Sequence, residues 1–282
     1  MDITAKNLRL FQDWFLQRGR SPGTAELYAI NITKCAADPK GLTNRLIAGR
    51  LAPNTLRANV AALRAWALYT EDAALAKRLS DIRLPPARRV RVKLPLDAEN
   101  WRKVVKDLQS CPMNCEAMRQ VLLILAIRGF RSGDVLRLRK VEVERALATG
   151  RLVYEVKGRK RIEVLAAPIR PQLEALAAMP KWDRVRDLIS SSTNHRVLSK
   201  RVCRAAKRAA KRVGIPDMNP HRFRHTFATN YLNKLKGDPN AIIKLQKYMG
   251  WESMATAARY VDQVNQDELD TIGAGLVSGL LE

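Results

Sequence analysis

The sequence predicts a mainly α-helical protein with one small β-hairpin, organised as two domains. Its 282 residues are about twice the number typical of a single domain. Apolar residues recur mostly at helical spacings of three and four positions, and one pair of short β-rich runs interrupts this pattern. A basic segment flanked by prolines divides the chain. We therefore expect an N-terminal domain over residues 1–84, a linker over 85–95 and a C-terminal domain over 96–282.

Four short helices are expected in the N-terminal domain. We place them at about residues 4–18, from Pro22 onward, at about 53–70 and in a brief stretch that ends near Leu79. Proline suits the first turn of the second and third helices, where its missing N–H is not required. The third helix carries an apolar stripe made of Leu56, Val60, Leu63 and Ala67. Arg57 and Arg64 lie off this stripe, which predicts a helical bundle with a basic free face.

The linker combines a break in helical structure with positive charge. Its prolines, at both ends, prevent a helix from running through it. Between them lie Arg88, Arg89, Arg91 and Lys93, without an acidic residue. An extended basic segment can lie along a phosphate backbone, so we predict that these four residues bind nucleic acid.

Two patterns define the C-terminal domain. The runs Leu152–Val156 and Ile162–Leu165 are rich in β-forming residues and flank a basic turn, which predicts a β-hairpin. Further on, Val197–Val213 predicts a helix whose apolar face consists of Leu198, Val202, Ala205, Ala206 and Ala209. The opposite face carries only positive charge, whereas a solvated helix face usually mixes both signs. We predict nucleic-acid contacts on this face from Lys200, Arg201, Arg204 and Arg208.

The composition excludes several classes of protein. With 51 Lys and Arg against 27 Asp and Glu, the formal net charge is +24, which favours a polyanionic partner. The longest apolar run, Val121–Ile127, is far shorter than the roughly twenty residues of a membrane span. The N-terminus does not resemble a secretory signal. Cys111 and Cys115 have no second pair of ligands, so we expect no metal site, and scattered cysteines suit the cytoplasm.

The segment 219–229 carries the side chains best suited to chemistry. On a helix, His221, Arg224 and His225 fall within one narrow arc, and the aromatic residues fall on another that can pack into a core. A guanidinium binds the non-bridging oxygens of a phosphodiester, and an imidazole can take a proton near neutral pH. By itself, the spacing of His221 and Arg224 leaves a structural or backbone-contact role equally open. We interpret His225 as a helix hydrogen-bonding residue.

Further candidates lie on both sides of this segment. Arg131 follows a turn and opens a helix, and Asp134 one turn later is placed to hold its guanidinium. Lys157 sits at the tip of the predicted hairpin. Trp251 precedes a serine that can cap a helix, and Tyr260 ends that helix. Together these residue types fit one reaction at a phosphodiester.

In their order, these residues resemble those of the tyrosine recombinase family, also called phage-type integrases. Members carry an arginine after a glycine-hydrophobic pair, a hairpin lysine, an HxxR motif, a His or Trp, and a tyrosine nine residues later. The sequence matches this order at Arg131, Lys157, His221, Arg224, Trp251 and Tyr260. The resemblance implies a helical core-binding domain and a mixed α/β catalytic domain that clamp double-stranded DNA.

The resemblance also implies a chemical mechanism. Tyr260 would attack a DNA phosphodiester to give a 3′-phosphotyrosyl link, which stores the bond energy, so neither ATP nor a metal or other cofactor is needed. Arg131 and Arg224 would neutralise the phosphate, and Trp251 would add its indole N–H.

Two residues are implied in proton transfer. His221 would help to remove the tyrosine proton, and Lys157 would protonate the departing 5′-oxygen. Lys160, in the same basic turn, is the main competitor of Lys157.

Assembly on DNA is a further implication. Related recombinases act as tetramers on paired DNA sites, and this chain is expected to do the same while being free to exist as a monomer in solution. Residues 267–282 have a loose amphipathic pattern and are expected to dock on a neighbouring protomer; the alternative is that they fold back on their own domain. The protein is then expected in the cytoplasm, associated with the nucleoid or encoded by a virus or mobile element.

Several alternatives stay open at this point. Tyr248 is a rival nucleophile outside the family spacing, and Trp251 suits an ordinary core position. A type IB topoisomerase would share the first chemical step but relax supercoils by letting one strand swivel. A site-specific DNA-binding protein without catalysis is the third possibility.

Overall fold

The computed structural model of the protein describes residues 3–36, 52–84, 95–110, 115–156, 161–192, 194–216, 218–254 and 256–257. The chain divides into two compact units, Met1–Arg91 and Val92–Glu282. The mainly helical fold with one small antiparallel sheet is confirmed. The predicted linker residues Arg88, Arg89, Arg91 and Lys93 lie outside the described residues.

The described part of the N-terminal unit contains the expected helices. They are α1 (Ala5–Gln17), α2 (Pro22–Ala36), α3 (Pro53–Tyr69) and α4 (Ala73–Ser80). Local caps explain two of the starts, because Thr4 accepts the N–H of Asn7 before α1 and Asp72 accepts the N–H of Leu75 before α4.

An aromatic and aliphatic core holds these helices together. Phe11, Ile32, Leu63 and Trp66 are buried at its centre, and the whole predicted stripe of α3 is buried. Arg64 is exposed, as expected, but its guanidinium donates to the carbonyl of Leu79, 2.9 Å away. The basic free face of α3 therefore also caps the end of α4.

The second unit surrounds one buried helix. Its helices are α5 (Ala98–Ser110), α6 (Glu116–Arg128), α7 (Ser132–Arg137), α8 (Lys140–Thr149), α9 (Arg170–Ala177), α10 (Val185–Ile189), α11 (His195–Arg212), α12 (Pro220–Lys234) and α13 (Ala241–Met249). The apolar run within α6 is buried almost throughout, which makes it a core helix. Among the described helices, none is long and apolar enough to cross a bilayer.

The predicted hairpin is present in this unit. Strands β1 (Arg151–Glu155) and β2 (Arg161–Leu165) pair antiparallel, with Arg151 opposite Leu165 and Glu155 opposite Arg161. Alternate residues, such as Leu152 and Tyr154, point into the core. Lys157 and Lys160, in the turn, lie outside the described residues.

Candidate active site

The site begins where α6 ends. Gly129 adopts a left-handed conformation, with φ of 63°, and its N–H closes the helix on the carbonyl of Leu125. Phe130 is buried, with its ring 4.6 Å from that of Tyr154. Arg131 then stands at the start of α7 with its side chain 33% exposed. The turn therefore anchors Phe130 in the core and leaves the Arg131 guanidinium accessible.

Arg224 is fixed by contacts with two distant segments. It is only 3% exposed. One terminal nitrogen donates to the carbonyl of Gly129 at 2.8 Å, and the other donates to the carbonyl of Met249 at 3.0 Å. Its guanidinium carbon also lies 5.2 Å from the centre of the Trp251 ring. Arg224 thus joins the end of α6, the end of α13 and the helix that carries it.

Helix α12 presents two imidazoles beside this guanidinium. The helix starts where Asn219 accepts the N–H of Arg222. The rings of His221 and His225 meet edge to face, with centres 4.6 Å apart. His221 is open to solvent on one side, and His225 is buried. The predicted arc of His221, Arg224 and His225 is therefore present.

Both imidazoles favour the neutral form. Partial removal of water lowers the pKa of His221, and the positive charges of Arg224 and Arg131 lower it further. Burial lowers the pKa of His225 to about 4, with smaller contributions from His221 and Arg224. At pH 7 a neutral His221 has one unprotonated ring nitrogen, which can accept a proton.

Asp134 is buried beside Arg131, but its closer partner is another arginine. Its carboxylate lies 2.6 Å from Arg137 and 4.0 Å from Arg131. Burial raises the pKa of Asp134 against the opposing effect of these arginines. The expected support of Arg131 by Asp134 is therefore the weaker of two contacts. The spacing of three residues between Asp134 and Arg137 on α7 was the sequence signal for the stronger one.

Trp251 follows a second glycine at the end of α13. Gly250 has φ of 62°, and its N–H is directed back into the last turn of the helix. The backbone N–H of Trp251 donates to the carbonyl of Gln246 at 3.0 Å, and the residue is 5% exposed within an apolar cluster. Trp251 is thus a core residue and, at the same time, a neighbour of Arg224.

Tyr248 is held within the fold. Its ring stacks on Phe227 at 5.2 Å and lies 5.4 Å from Tyr231. Its hydroxyl accepts a hydrogen bond from Arg128. Burial raises the pKa of Tyr248, although Arg128 opposes this effect. These contacts make Tyr248 a poor rival for the role of nucleophile.

Two residues near the site were missed from the sequence. Arg128 is buried at the end of α6 and donates to Tyr248 and to the carbonyl of Leu165. Tyr154 is buried on β1, and burial raises its pKa, with the Asp134 charge adding to the rise. The alternation along β1 signalled that Tyr154 points inward, whereas no local pattern signalled the partners of Arg128.

The structure thus brings several of the predicted residues together. They are Arg131, Asp134, His221, Arg224 and Trp251. Tyr260 and the tail at 267–282 lie outside the described residues. Within the described ranges, no three His, Cys, Asp or Glu side chains gather where they could hold a metal ion.

The basic face of α11 is the second predicted functional surface. Lys200, Arg201, Arg204 and Arg208 are all exposed. Arg201 also donates to the carbonyl of Ile189 at 3.0 Å, so part of its capacity serves the fold. Near the end of α11, Arg212 pairs with Asp107 of α5 through bonds of 2.9 and 2.6 Å. Among the ion pairs between described residues, none involves Lys200, Arg204 or Arg208.

The fold is similar to that of solved recombinases. The XerH site-specific recombinase in a post-cleavage complex with palindromic difH substrate is 19% identical, with a TM-score of 0.63 over 91% of this chain and 81% of that chain. A lambda integrase fragment, a dimer bound to a COC′ core site, is 14% identical, with a TM-score of 0.63 over 92% and 95%. The Tn1549 transposon integrase, in complex with transposon right end DNA, is 14% identical, with a TM-score of 0.54 over 90% and 93%. At these identities the likeness concerns the fold.

A match in sequence comes from a family model. A comparison with curated protein sequences gives no match. The model of the phage integrase family matches residues 96–267, which includes every residue of the site described above. Because this match covers more than half of the sequence, the chain belongs to the phage integrase family, the tyrosine recombinases, which are DNA strand-transferase enzymes.

Proposed function

We propose that the protein is a site-specific DNA recombinase that cleaves and rejoins double-stranded DNA through a 3′-phosphotyrosyl intermediate. The observation that carries this proposal is the fixed position of Arg224, which is held by two backbone carbonyls beside Arg131 and a neutral His221. Such a cation needs little reorganisation to stabilise charge on a phosphate in the transition state.

In the proposed cleavage step, the Tyr260 oxygen forms a bond to the phosphorus and the bond to the 5′-oxygen breaks. His221 takes the proton of the phenol, and Lys157 gives a proton to the 5′-oxygen. Arg131 and Arg224 bind the non-bridging oxygens throughout. Attack by a 5′-hydroxyl of the partner duplex then reverses these steps, so ATP, metal and other cofactors take no part.

Two further residues have supporting roles in this proposal. Trp251 contributes an indole N–H to the phosphate and packs against Arg224. The buried carboxylate of Asp134, which pairs more closely with Arg137, limits the movement of Arg131 through a weaker contact at 4.0 Å.

We propose that both units bind double-stranded DNA, the N-terminal unit as the core-binding domain and the C-terminal unit as the catalytic domain. The exposed residues Lys200, Arg201, Arg204 and Arg208 of α11 and the basic linker would contact phosphates. The similar XerH and lambda integrase structures are DNA complexes. Strand exchange requires a tetramer on paired sites, with residues 267–282 docked on a neighbouring protomer. Because the proposed substrate is DNA, we propose that the protein acts in the cytoplasm on chromosomal or mobile-element DNA.

The nucleophile is tested by trapping the covalent adduct. We would incubate the protein in EDTA with supercoiled plasmid and with a library of nicked suicide duplexes, and then separate the products on a denaturing gel. Wild type and the matched control Tyr231→Phe are expected to form a protein–DNA adduct, and Tyr260→Phe is expected to form none. Sequencing of the trapped DNA identifies the site.

Other outcomes would change the proposal. Intact DNA binding with no adduct from the wild type on any substrate would favour a non-catalytic DNA-binding protein. Relaxation of the plasmid without exchange between duplexes would favour the topoisomerase reaction. An adduct in Tyr260→Phe would assign the nucleophile to another residue.

A further inference from the structure

Arg128 is a buried arginine next to the site, at the end of α6. It is 9% exposed. Its two terminal nitrogens donate to different partners, one to the Tyr248 hydroxyl and the other to the carbonyl of Leu165. The guanidinium carbon also lies 5.6 Å from the centre of the Tyr248 ring. The forked guanidinium therefore joins three elements, namely α6, α13 and β2.

The same two helix ends are joined a second time by Arg224. Its partners are the carbonyls of Gly129 and Met249. These are the residues that directly follow Arg128 and Tyr248. Two guanidiniums thus connect the end of α6 to the end of α13, one residue apart along each chain segment. The segment after α6 leads to Arg131, and the segment after α13 leads to Trp251.

The third partner of Arg128 extends this connection to the hairpin. Leu165 is the last residue of β2, and its carbonyl is bonded by Arg128. An added Cβ at Gly250 would lie 2.0 Å from the Ile162 side chain, so the hairpin also packs directly on the end of α13. In the sequence, Lys157 lies between the two strands of the hairpin. Arg128, at the end of α6, therefore contacts both the last turn of α13 and the last residue of β2.

We propose that Arg128 is a positioning residue that sets the relative positions of Arg131, Trp251 and strand β2. This inference rests on the proposed recombinase function. A buried charge is costly to desolvate, and this cost offsets much of what its hydrogen bonds contribute to stability. The two directed hydrogen bonds of Arg128 instead define the spacing between α6, α13 and β2.

The test compares variants of the full-length protein that alter one part of this connection at a time. Arg128→Met removes both bonds, Arg128→Lys keeps the charge without the fork, and Tyr248→Phe keeps the stacked ring without the hydroxyl. The double variant Arg128→Met with Tyr248→Phe leaves no buried hydroxyl behind, so it serves where the single variant folds poorly. Arg145→Met, at an exposed arginine of α8, is the matched control.

Three measurements are made on each protein. These are the affinity for the duplex recovered by adduct trapping, the single-turnover rate of adduct formation, and hydrogen exchange of the backbone. We expect Arg128→Met to bind this duplex as the wild type does, while its rate falls about a hundredfold, since displacement of reacting groups by about 1 Å has such an effect. Faster exchange is expected only in residues 128–131, 161–165 and 247–251. Arg128→Lys and Tyr248→Phe are expected to lose less of the rate.

Contrary outcomes are separable. Equal rates and exchange in Arg128→Met and Arg145→Met would overturn the inference, and so would a wild-type rate in Arg128→Lys. A joint loss of binding, rate and exchange protection over the whole unit, in the double variant as well, would make Arg128 a purely structural residue. If the wild type forms no adduct, the proposed function fails. In that case the hydrogen exchange of Arg128→Met tests the inference by itself. Faster exchange confined to the three segments would support the positioning role of Arg128, and unchanged exchange would overturn it.

Discussion

At the scale of single residues, the surroundings of each ionisable side chain in the site fix its position and its protonation state. Arg224 is buried and donates to two backbone carbonyls, so the ends of two helices hold its guanidinium in place. The same surroundings keep the imidazoles of His221 and His225 neutral by lowering their pKa. Cationic and neutral groups therefore lie side by side on one helix.

The buried His225 predicts a loss of stability in acid. Its pKa is about 4 in the fold against an ordinary 6.5, so the unfolded chain binds a proton more readily. Its contribution is unchanged above about pH 6.5, and the free energy of unfolding then falls by about 3 kcal/mol as the pH approaches 4. Urea unfolding of wild type and His225→Gln from pH 4 to 7.5 measures this effect.

The comparison with His225→Gln isolates one group. The raised pKa of Asp134 acts in the opposite direction and is present in both proteins. The difference between the two stability curves is expected to change with pH below 6.5 because only the wild type has this imidazole. Parallel curves over the whole range would contradict the prediction.

At the scale of elements, two helices that end in glycine allow the elements of the site to pack closely together. The Cβ of an alanine at 129 would lie 2.7 Å from Cβ of Phe227, and one at 250 would lie 2.0 Å from Ile162. Both glycines also have positive φ, which residues with a side chain adopt at a cost. Helices α6 and α13 can therefore end in contact with α12 and the hairpin, which places Arg131 and Trp251 beside Arg224.

Substitution of Gly129 by alanine tests this close approach. Gly150, at the end of α8, is a matched control because it has φ of 71° and open space around it. We expect Gly150→Ala to lose about 1–2 kcal/mol from left-handed strain alone. Gly129→Ala is expected to lose about 1–3 kcal/mol more through overlap with Phe227. Urea unfolding gives both values, and equal losses would show that the overlap is relieved without cost.

At the scale of the whole molecule, part of the excess positive charge is concentrated on the exposed face of α11. The apolar face of this helix is buried, and Lys200, Arg204 and Arg208 lie on its exposed face. Arg212, in the last turn of the same helix, pairs with Asp107, whereas the ion pairs between described residues include none of these three. These three exposed cations on α11 are therefore suited to phosphates, which release counterions when they are neutralised.

Salt dependence of DNA binding tests this surface. The slope of log affinity against log salt is negative, and each lost phosphate contact reduces its magnitude by about 0.9. For the triple variant Lys200→Gln, Arg204→Gln, Arg208→Gln we expect a slope that is smaller in magnitude by about 2.7. The control carries the same change of charge at exposed residues of other segments, Arg145→Gln, Arg170→Gln and Lys181→Gln. Binding of a labelled duplex of arbitrary sequence at several NaCl concentrations gives the slopes. The same slope in both variants would remove α11 from the DNA interface.

The sequence by itself determined the local elements and the family. Local patterns located the N-terminal helices, the hairpin and the two faces of α11, and the ordered residues from Arg131 to Tyr260 identified the family. These features depend on neighbours a few positions apart, because side-chain direction repeats with the period of the helix or strand. Only the tertiary structure decided which groups meet: Arg224 with the carbonyl of Gly129, 95 positions away, and Arg128 with Tyr248, 120 positions away. A periodic pattern predicts which face of a helix or strand is buried. The residues that this face contacts depend on how the distant elements of the core pack together.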